Sequence, residues 1–123
     1  MAALRLTWAA ASVTVELRDT PTARQLLAAL PFDAPINTWG EELYFTTPVK
    51  AALEADARQV VEPGTVCFWV DGDALALPWG RTPISAPGEC RLVSPCSVLG
   101  QLREAPDLLA TARDGETVRV ESV

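Results

Sequence analysis

Residues 62–83 decide the fold, because the stretch EPGTVCFWVDGDALALPWGRTP contains two turn signals and two strand-like runs. The dipeptide Pro63-Gly64 fits a type II turn, whose third residue takes a positive φ. The dipeptide Asp71-Gly72 is typical of a two-residue hairpin turn of type I′, with the glycine at positive φ. The sequence therefore predicts that residues 65–70 and 73–78 pair as antiparallel strands.

The segments on both sides of this hairpin show the period-two alternation of strands that bury one face. Apolar and polar residues alternate over 4–8 and 13–17, which predicts an opening hairpin. Residues 36–48 form one or two strands in this interpretation, residues 94–102 form another, and residues 116–123 form the last. Strands are thus expected along most of the chain.

Helical periodicity is confined to three short segments. Residues 20–31 offer Thr20 as a capping residue with Pro21 at the first helical position, or alternatively Thr22 with Gln25 as the cap, and an apolar stripe follows. Residues 49–57 and 105–115 are interpreted as two further short helices. Two or three short helices among about eight short strands predict a mostly β chain, and such chains usually close into barrels or sandwiches. We expect one domain over residues 1–123.

Composition narrows the classes of function. The 123 residues include 10 Lys+Arg and 16 Asp+Glu, and the formal net charge of -6 argues against nucleic acid as a partner. The chain contains no His, which excludes histidine catalysis and leaves no metal-ligand set of recognisable spacing. No glycine-rich loop leads into a helix, as a phosphate-bearing cofactor would need. We expect neither a metal nor a cofactor.

The cysteines bear on the location of the protein. Cys67, Cys90 and Cys96 are odd in number and lack motif spacing, which indicates reduced thiols. No apolar stretch approaches the ~20 residues of a membrane span, and no basic signal-peptide start is present. The sequence predicts a cytoplasmic protein without membrane association.

Cys67 and Trp69 share one strand face and Phe68 lies on the other, so one face needs a helix, a loop or a partner subunit of a homodimer to cover it.

Two adjacent carboxylates, Glu41 and Glu42, are candidates for chemistry, and in a strand they point to opposite faces. Glu41 shares its face with Leu43. If this apolar face packs on the core, Glu41 is a buried carboxylate with a raised pKa, which is typical of functional sites. The alternative is that a bulge at Gly40 turns Glu41 to solvent. Glu42 shares its face with Tyr44.

Arg81 is a further candidate, because it follows Trp79 at the end of strand 73–78, where a barrel rim is expected. Its guanidinium can hold a carboxylate or phosphate through two parallel hydrogen bonds. Trp79 can stack on a planar ligand or on the guanidinium. The ligand expected here is a small anion or a peptide. The alternative is that Arg81 pairs with a neighbouring acid and the segment only turns the chain at a barrel corner.

Three blocks of sequence, in this order and spacing, resemble the cyclophilin-like family of small prokaryotic proteins. They are WGEELYF at 39–45, the turn, hairpin and GRTP run over 62–83, and VLG at 98–100 followed by a short helix and GETVRVE at 115–121. The resemblance implies a closed antiparallel eight-stranded barrel with helices over its open ends. It implies no prolyl isomerase activity, because no residue matches the catalytic arginine by motif and the glycine-rich signature segments are absent.

The sequence favours binding over catalysis, since no nucleophile and base occur as a recognisable pair. We expect a small-molecule or peptide binding module with its site at the barrel rim. One alternative is a weak or divergent peptidyl-prolyl cis-trans isomerase, which rests on fold analogy alone. Another is an assembly partner or homodimer. The candidate ligand-binding residues are Arg81, Trp79, Tyr44, Glu42, Glu41 and Thr82.

Overall fold

The computed structural model describes residues 2–123, and within them it contains ten strands, one α-helix and two 3-10 segments. The helix α1 spans Pro21–Ala29, and the 3-10 segments span Val70–Gly72 and Pro106–Thr111. The strands are β1 (Ala3–Thr7), β2 (Ser12–Leu17), β3 (Phe32–Pro35), β4 (Asn37–Thr38), β5 (Glu42–Thr46), β6 (Arg58–Val60), β7 (Thr65–Trp69), β8 (Ala74–Pro78), β9 (Arg91–Leu102) and β10 (Thr117–Ser122).

The strands form one antiparallel sheet in the order β3-β10-β1-β2-β9-β7-β8-β5-β4, and β6 pairs with β9 outside this order. The two end strands, β3 and β4, are consecutive in the chain and are joined by Ile36. The N–H of Ile36 donates to the carbonyl of Glu116 at 2.8 Å, and its carbonyl accepts from the N–H of Gly115 at 2.8 Å. The sheet therefore nearly closes on itself, which confirms the predicted mostly β, antiparallel barrel.

The number of strands exceeds the predicted eight because three short pairings contribute. Strand β3 has four residues, β4 has two and β6 has three, and runs this short carry little periodic signal. Both predicted hairpins are confirmed, since β1 pairs with β2 and β7 pairs with β8. Segment 36–48 holds two strands, β4 and β5.

The barrel interior is filled by large apolar side chains from one face of each main strand. The apolar residues Leu27 and Val98 are only partly buried. The pairing of β7 with β9 contains a one-residue irregularity, so that Leu99 faces the barrel and Val98 lies outside. The almost fully buried interior residues include Leu4, Leu6, Val13, Val15, Leu43, Phe45, Val66, Phe68, Leu75, Leu77, Leu99, Val118 and Val120.

A second apolar cluster lies outside the barrel, on the outer face of β7 and β8. Cys67 and Ala76 project from these strands and pack against Val61, Cys90, Leu92 and Cys96. The first half of β9 pairs with β6, whereas its second half pairs with β2 and β7 in the barrel. The strand face that needed a cover therefore receives it from the same chain.

The turn at Pro63-Gly64 is confirmed. The N–H of Thr65 donates to the carbonyl of Glu62 at 3.1 Å, and Gly64 has a φ of 88°. This φ fits the third position of a type II turn.

The predicted type I′ turn at Asp71-Gly72 is wrong, although the hairpin that it joins is present. Gly72 ends the 3-10 segment, and the positive φ belongs to Asp73, at 49°. A Cβ atom on Gly72 would lie 2.5 Å from the ring of Trp69. The glycine is therefore needed for space beneath the indole, and the loop holds four residues instead of two.

The helix α1 begins as predicted, because the hydroxyl of Thr20 accepts a hydrogen bond from the N–H of Ala23 at 3.1 Å. The helix predicted for 105–115 is the shorter 3-10 segment Pro106–Thr111. No helix among the described residues is both long and apolar enough to cross a membrane.

The helix predicted for residues 49–57 is wrong. Val49 is buried but Leu53 is 51% exposed, so the segment lacks the continuous buried apolar stripe that would stabilise a helix. Glu54 forms tertiary hydrogen bonds instead: its N–H donates to the hydroxyl of Ser97 at 3.0 Å, and its carboxylate accepts from the N–H of Thr22 at 3.1 Å. These contacts hold the segment as an irregular strap against the barrel.

Candidate functional site

A cavity of about 140 Å³ lies on the outer face of the barrel, between strands β5, β7 and β8 and the first half of β9. Val93 at its edge is 48% exposed, so the cavity reaches the protein surface there. Three aromatic side chains and one carboxyl contribute to its walls. The lining residues are Trp39, Glu42, Tyr44, Trp69, Ala76, Leu92, Val93 and Cys96.

The alternation of small and large residues in β8 creates this cavity. Tyr44 of β5 lies opposite Ala76 of β8, and Ala76 lies opposite Cys67 of β7, so the three share the outer face. Leu75 and Leu77 alternate with the alanines and fill the barrel interior, where both are 0% exposed. A methyl group at position 76 leaves room between its larger neighbours on the outer face.

Glu42 is the buried carboxyl of the cavity. It is 4% exposed, and its Oε1 has no hydrogen-bond partner among the described residues. Burial raises the pKa of Glu42 from 4.5 to about 7, because removal from water disfavours the charged form. Glu42 is therefore close to half ionised at neutral pH and can accept or donate a hydrogen bond there.

Trp69 supplies a second polar atom without a partner. Its indole N–H is buried and makes no hydrogen bond within the part of the chain that the structure describes. Its ring meets that of Tyr44 edge to face, with ring centroids 6.2 Å apart and an interplanar angle of 88°. The two rings thus form perpendicular walls of the cavity.

Glu41 lies outside this cavity, and its interpretation as the buried carboxylate is wrong. The chain bends at Gly40, whose φ is 58°, and strand β5 begins only at Glu42. Glu41 is exposed, as the bulge interpretation predicted. Its carboxylate accepts a hydrogen bond from the backbone N–H of Arg81 at 2.9 Å, and its own N–H donates to the carbonyl of Arg81 at 2.9 Å. Glu41 therefore fastens two loops together.

Arg81 lines a separate surface depression of about 290 Å³, together with Glu62 and Glu89. Its side chain is exposed, and its guanidinium makes no ion pair among residues 2–123. The structure thus divides the six candidate residues, because Glu42 and Tyr44 line the aromatic cavity and Arg81 does not. An anion at Arg81 stays a prediction.

Trp79 and Thr82 make packing contacts and hydrogen bonds that stabilise the fold. Trp79 is partly buried and packs against the barrel core. Thr82 is 2% exposed, its N–H donates to the hydroxyl of Ser85 at 3.0 Å, and its own hydroxyl donates to the carbonyl of Arg91. These bonds fix the loop that follows Arg81, and neither residue lines the aromatic cavity.

All three cysteines are free and buried. Burial raises the pKa of Cys96 to about 12 and that of Cys90 to about 11, and it raises the pKa of Cys67 further. A thiol needs a lowered pKa to act as a nucleophile, so these cysteines serve as packing groups. Among the described residues, no three His, Cys, Asp or Glu side chains form a group suited to a metal ion.

The sequence did not single out six of the eight cavity residues as site residues: Trp39, Trp69, Ala76, Leu92, Val93 and Cys96. The signal for Trp69 was present, because its strand face required a cover. The rest depend on β9, whose first half crosses the outer face of strands that are distant in sequence. No local pattern indicates such a crossing.

The architecture defines the class of the protein: a small, nearly closed antiparallel barrel with a covered outer face and an aromatic cavity beneath the cover. The model of the cyclophilin-like family matches residues 2–121. The chain belongs to this family, which confirms the resemblance drawn from its sequence blocks.

Among solved structures, the chain is similar to the solution structure of the hypothetical protein AF2241 from Archaeoglobus fulgidus. The two share 38% sequence identity with a TM-score of 0.86, and the match covers 99% of this chain and 95% of the archaeal one. A search of curated proteins gives no significant match.

Proposed function

We propose that this protein is a binding module for a small organic molecule, held in the aromatic cavity on the outer face of the barrel. One observation carries the proposal: an acceptor, Glu42 Oε1, and a donor, the indole N–H of Trp69, are both buried without partners among the described residues. Both residues line the same cavity. Buried polar groups without partners are rare in folded proteins and call for an explanation.

The composition of the cavity fits a ligand site. Small-molecule sites are mostly apolar and aromatic, with a few convergent polar groups that fix the orientation of the ligand. Here Trp39, Tyr44 and Leu92 supply apolar walls, while Glu42 and Trp69 supply polar contacts. Each unpartnered buried group costs about 1–3 kcal/mol, which a ligand with a matching donor and acceptor recovers. Such a ligand carries both groups on a compact apolar frame.

Nuclear magnetic resonance of the four tryptophan indoles tests the proposal. We would titrate uniformly ¹⁵N-labelled protein with a panel of neutral, cationic and anionic fragments and follow the indole N–H signals, assigned through Trp→Phe variants. We expect some fragments to shift the signal of Trp69. Trp8 is the internal control, because its indole N–H already donates to the hydroxyl of Thr111 at 3.0 Å.

Two results would contradict the proposal. In the first, no fragment in the panel shifts Trp69 at millimolar concentration. In the second, each fragment that shifts Trp69 shifts Trp8 equally, which would indicate a general effect on the protein.

The three free, buried cysteines support a cytoplasmic location, which is also part of the proposal. A homodimer is not required to cover the outer face of β7 and β8, since β6 and β9 of the same chain cover it.

A further inference from the structure

We propose that the ligand of the aromatic cavity is a compact protonated amine that also carries a hydrogen-bond acceptor: its ammonium N–H donates to the carboxylate of Glu42, its acceptor receives the indole N–H of Trp69, and its alkyl groups contact the aromatic rings. This inference rests on the proposed function and specifies the chemical class of the ligand.

The aromatic walls favour a cation. The faces of tryptophan and tyrosine rings carry negative charge density, and several such rings around one cavity are the usual receptor for alkylammonium groups. Tyr44 and Trp69 stand perpendicular to each other, with their ring centroids 6.2 Å apart. Trp39 adds a third aromatic side chain to the walls.

The charge of the cavity also favours a cation. Of the described residues that line it, Glu42 is the acidic one, and none is Lys or Arg. A buried carboxylate without a cationic partner is unfavourable, because it loses its hydration and gains no compensating ion pair. A positively charged ligand supplies the missing partner. An anion would be repelled by the carboxylate and by the negative charge density of the ring faces.

The carboxyl distinguishes between kinds of cation. Glu42 Oε1 has no donor among the described residues, and a protonated amine brings N–H groups that a quaternary ammonium ion lacks. The resulting hydrogen bond is charge-assisted, which makes it about twice as strong as a neutral one. A volume of about 140 Å³ suits a small head group, and the exposed edge at Val93 leaves an exit for a longer substituent.

The test compares probes of similar size and different charge by the same NMR titration at pH 8. The probes are butylammonium, 1-butanol, butyrate and tetramethylammonium. We expect butylammonium to shift the Trp69 indole with an affinity about tenfold or more above that of 1-butanol. Butyrate should bind least, and tetramethylammonium should bind less tightly than butylammonium because it donates no hydrogen bond.

Two matched variants complete the test. Glu42→Gln should reduce butylammonium affinity about tenfold and 1-butanol affinity by less, because the alcohol loses no charge-assisted bond, whereas Glu41→Gln, an exposed neighbour, should change neither. Folding of each variant is checked by its spectrum, and the probe series on the unmodified protein does not depend on either variant.

The outcomes separate this inference from the proposed function. Two results would overturn the assignment of the ligand as a protonated amine and leave the proposed binding site in place. They are equal affinity for butylammonium and 1-butanol, and no binding of butylammonium while other fragments shift the Trp69 signal. Unchanged butylammonium affinity in Glu42→Gln would also overturn it. If no compound of any kind shifts Trp69, both the inference and the proposed function fail.

Discussion

At the scale of single residues, Glu42 is the buried carboxyl of the aromatic cavity. It is 4% exposed and lacks a partner for Oε1 among the described residues, and burial raises its pKa from 4.5 to about 7. Between these two pH values the folded protein binds more protons than the unfolded chain does. The contribution of Glu42 to stability is therefore full below pH 4.5 and is lost as the pH rises toward and through 7.

The first prediction concerns this pH dependence. Glu42→Gln removes the titrating group, so the unfolding free energy of the unmodified protein should fall relative to that of the variant by roughly 2–3 kcal/mol between pH 5 and pH 8. Urea denaturation at several pH values in this window measures the difference. Glu41→Gln is the matched control for the loss of one carboxyl at an exposed neighbouring position. Parallel curves for Glu42→Gln would show that Glu42 titrates normally.

The second prediction concerns Arg81, whose exposed guanidinium makes no ion pair within residues 2–123. Arg81→Glu should change the unfolding free energy by less than about 0.5 kcal/mol, as is usual for surface positions. It should also leave butylammonium binding unchanged, because Arg81 lies outside the aromatic cavity. Thermal denaturation and the NMR titration check these two points. A large loss of stability would assign Arg81 a structural role at the barrel corner.

The two adjacent glutamates show how much of a side chain's surroundings can be predicted from the sequence. Alternation correctly predicted that Glu41 and Glu42 lie in different surroundings, and it offered Glu41 as a buried carboxyl unless a bulge at Gly40 turns it to solvent. The chain bends at Gly40 before β5 begins, and Glu41 is exposed. Glu42 is buried because β9 covers the outer face of the barrel, which no residue near Glu42 indicates.

At the scale of elements, the loop between β7 and β8 couples the hairpin to the cavity. Gly72 lies beneath the indole of Trp69, and the same indole forms a wall of the cavity. Asp73 completes the loop with a φ of 49°, a left-handed conformation that aspartate tolerates better than most residues. The loop therefore sets the position of a side chain that lines the cavity.

The third prediction tests this coupling. In Gly72→Ala the new Cβ would lie 2.5 Å from the Trp69 ring, so the ring has to move. We expect the unfolding free energy to fall by about 1–3 kcal/mol, in the range of overpacked sites, and the indole signal of Trp69 to shift. Chemical denaturation and NMR measure the two effects.

Substitutions at Asp73 are the control for the turn assignment. Asp73→Val should cost about 1–2 kcal/mol, because a β-branched residue resists the left-handed region, whereas Asp73→Gly should not be destabilising through its backbone. If Asp73→Val is harmless, the positive φ does not lie at residue 73.

Elements with strong local signals were predictable, and those stabilised by distant contacts were not. The start of α1 at Thr20, the turn at Pro63-Gly64 and the β7–β8 hairpin all follow from local chemistry and are confirmed. Residues 49–57 have helical composition, yet tertiary hydrogen bonds to Glu54 hold them in an irregular strap. The short strands β3, β4 and β6 likewise exist only through their partners.

At the scale of the whole molecule, the barrel is a scaffold and does not define the chemistry, since one fold hosts many functions. The candidate site lies on the outside of the barrel, beneath the cover made by β6 and the first half of β9. Membership of the cyclophilin-like family fixes the architecture over residues 2–121 and leaves the ligand open. The aromatic cavity contains the carboxyl of Glu42, and no Lys or Arg is among the described residues that line it.

The fourth prediction concerns prolyl isomerase activity. We expect no acceleration of cis/trans isomerisation in a proline peptide, because Arg81 and the aromatic cavity lie in separate depressions. A protease-coupled assay measures the rate against the uncatalysed reaction and against an isomerase cyclophilin. Turnover comparable to that of the isomerase would contradict the prediction, and Arg81→Ala would then be the variant to assay next.

The central claim is that Glu42, a buried carboxyl whose Oε1 has no partner among the described residues, binds a cationic ligand. The ionisation of this one group tests the claim most directly. The pKa of Glu42 can be read from the ¹³C chemical shift of its side-chain carboxyl carbon over a pH titration, with and without saturating butylammonium. The nearby thiols of Cys67, Cys90 and Cys96 do not interfere, because burial raises their pKa values and keeps them neutral where Glu42 titrates.

We predict a pKa of about 7 for Glu42 in the free protein and a lower value with butylammonium bound, because a cation stabilises the carboxylate. A pKa near 4.5 that butylammonium does not change would contradict the account, since Glu42 would then be an ordinary solvated acid.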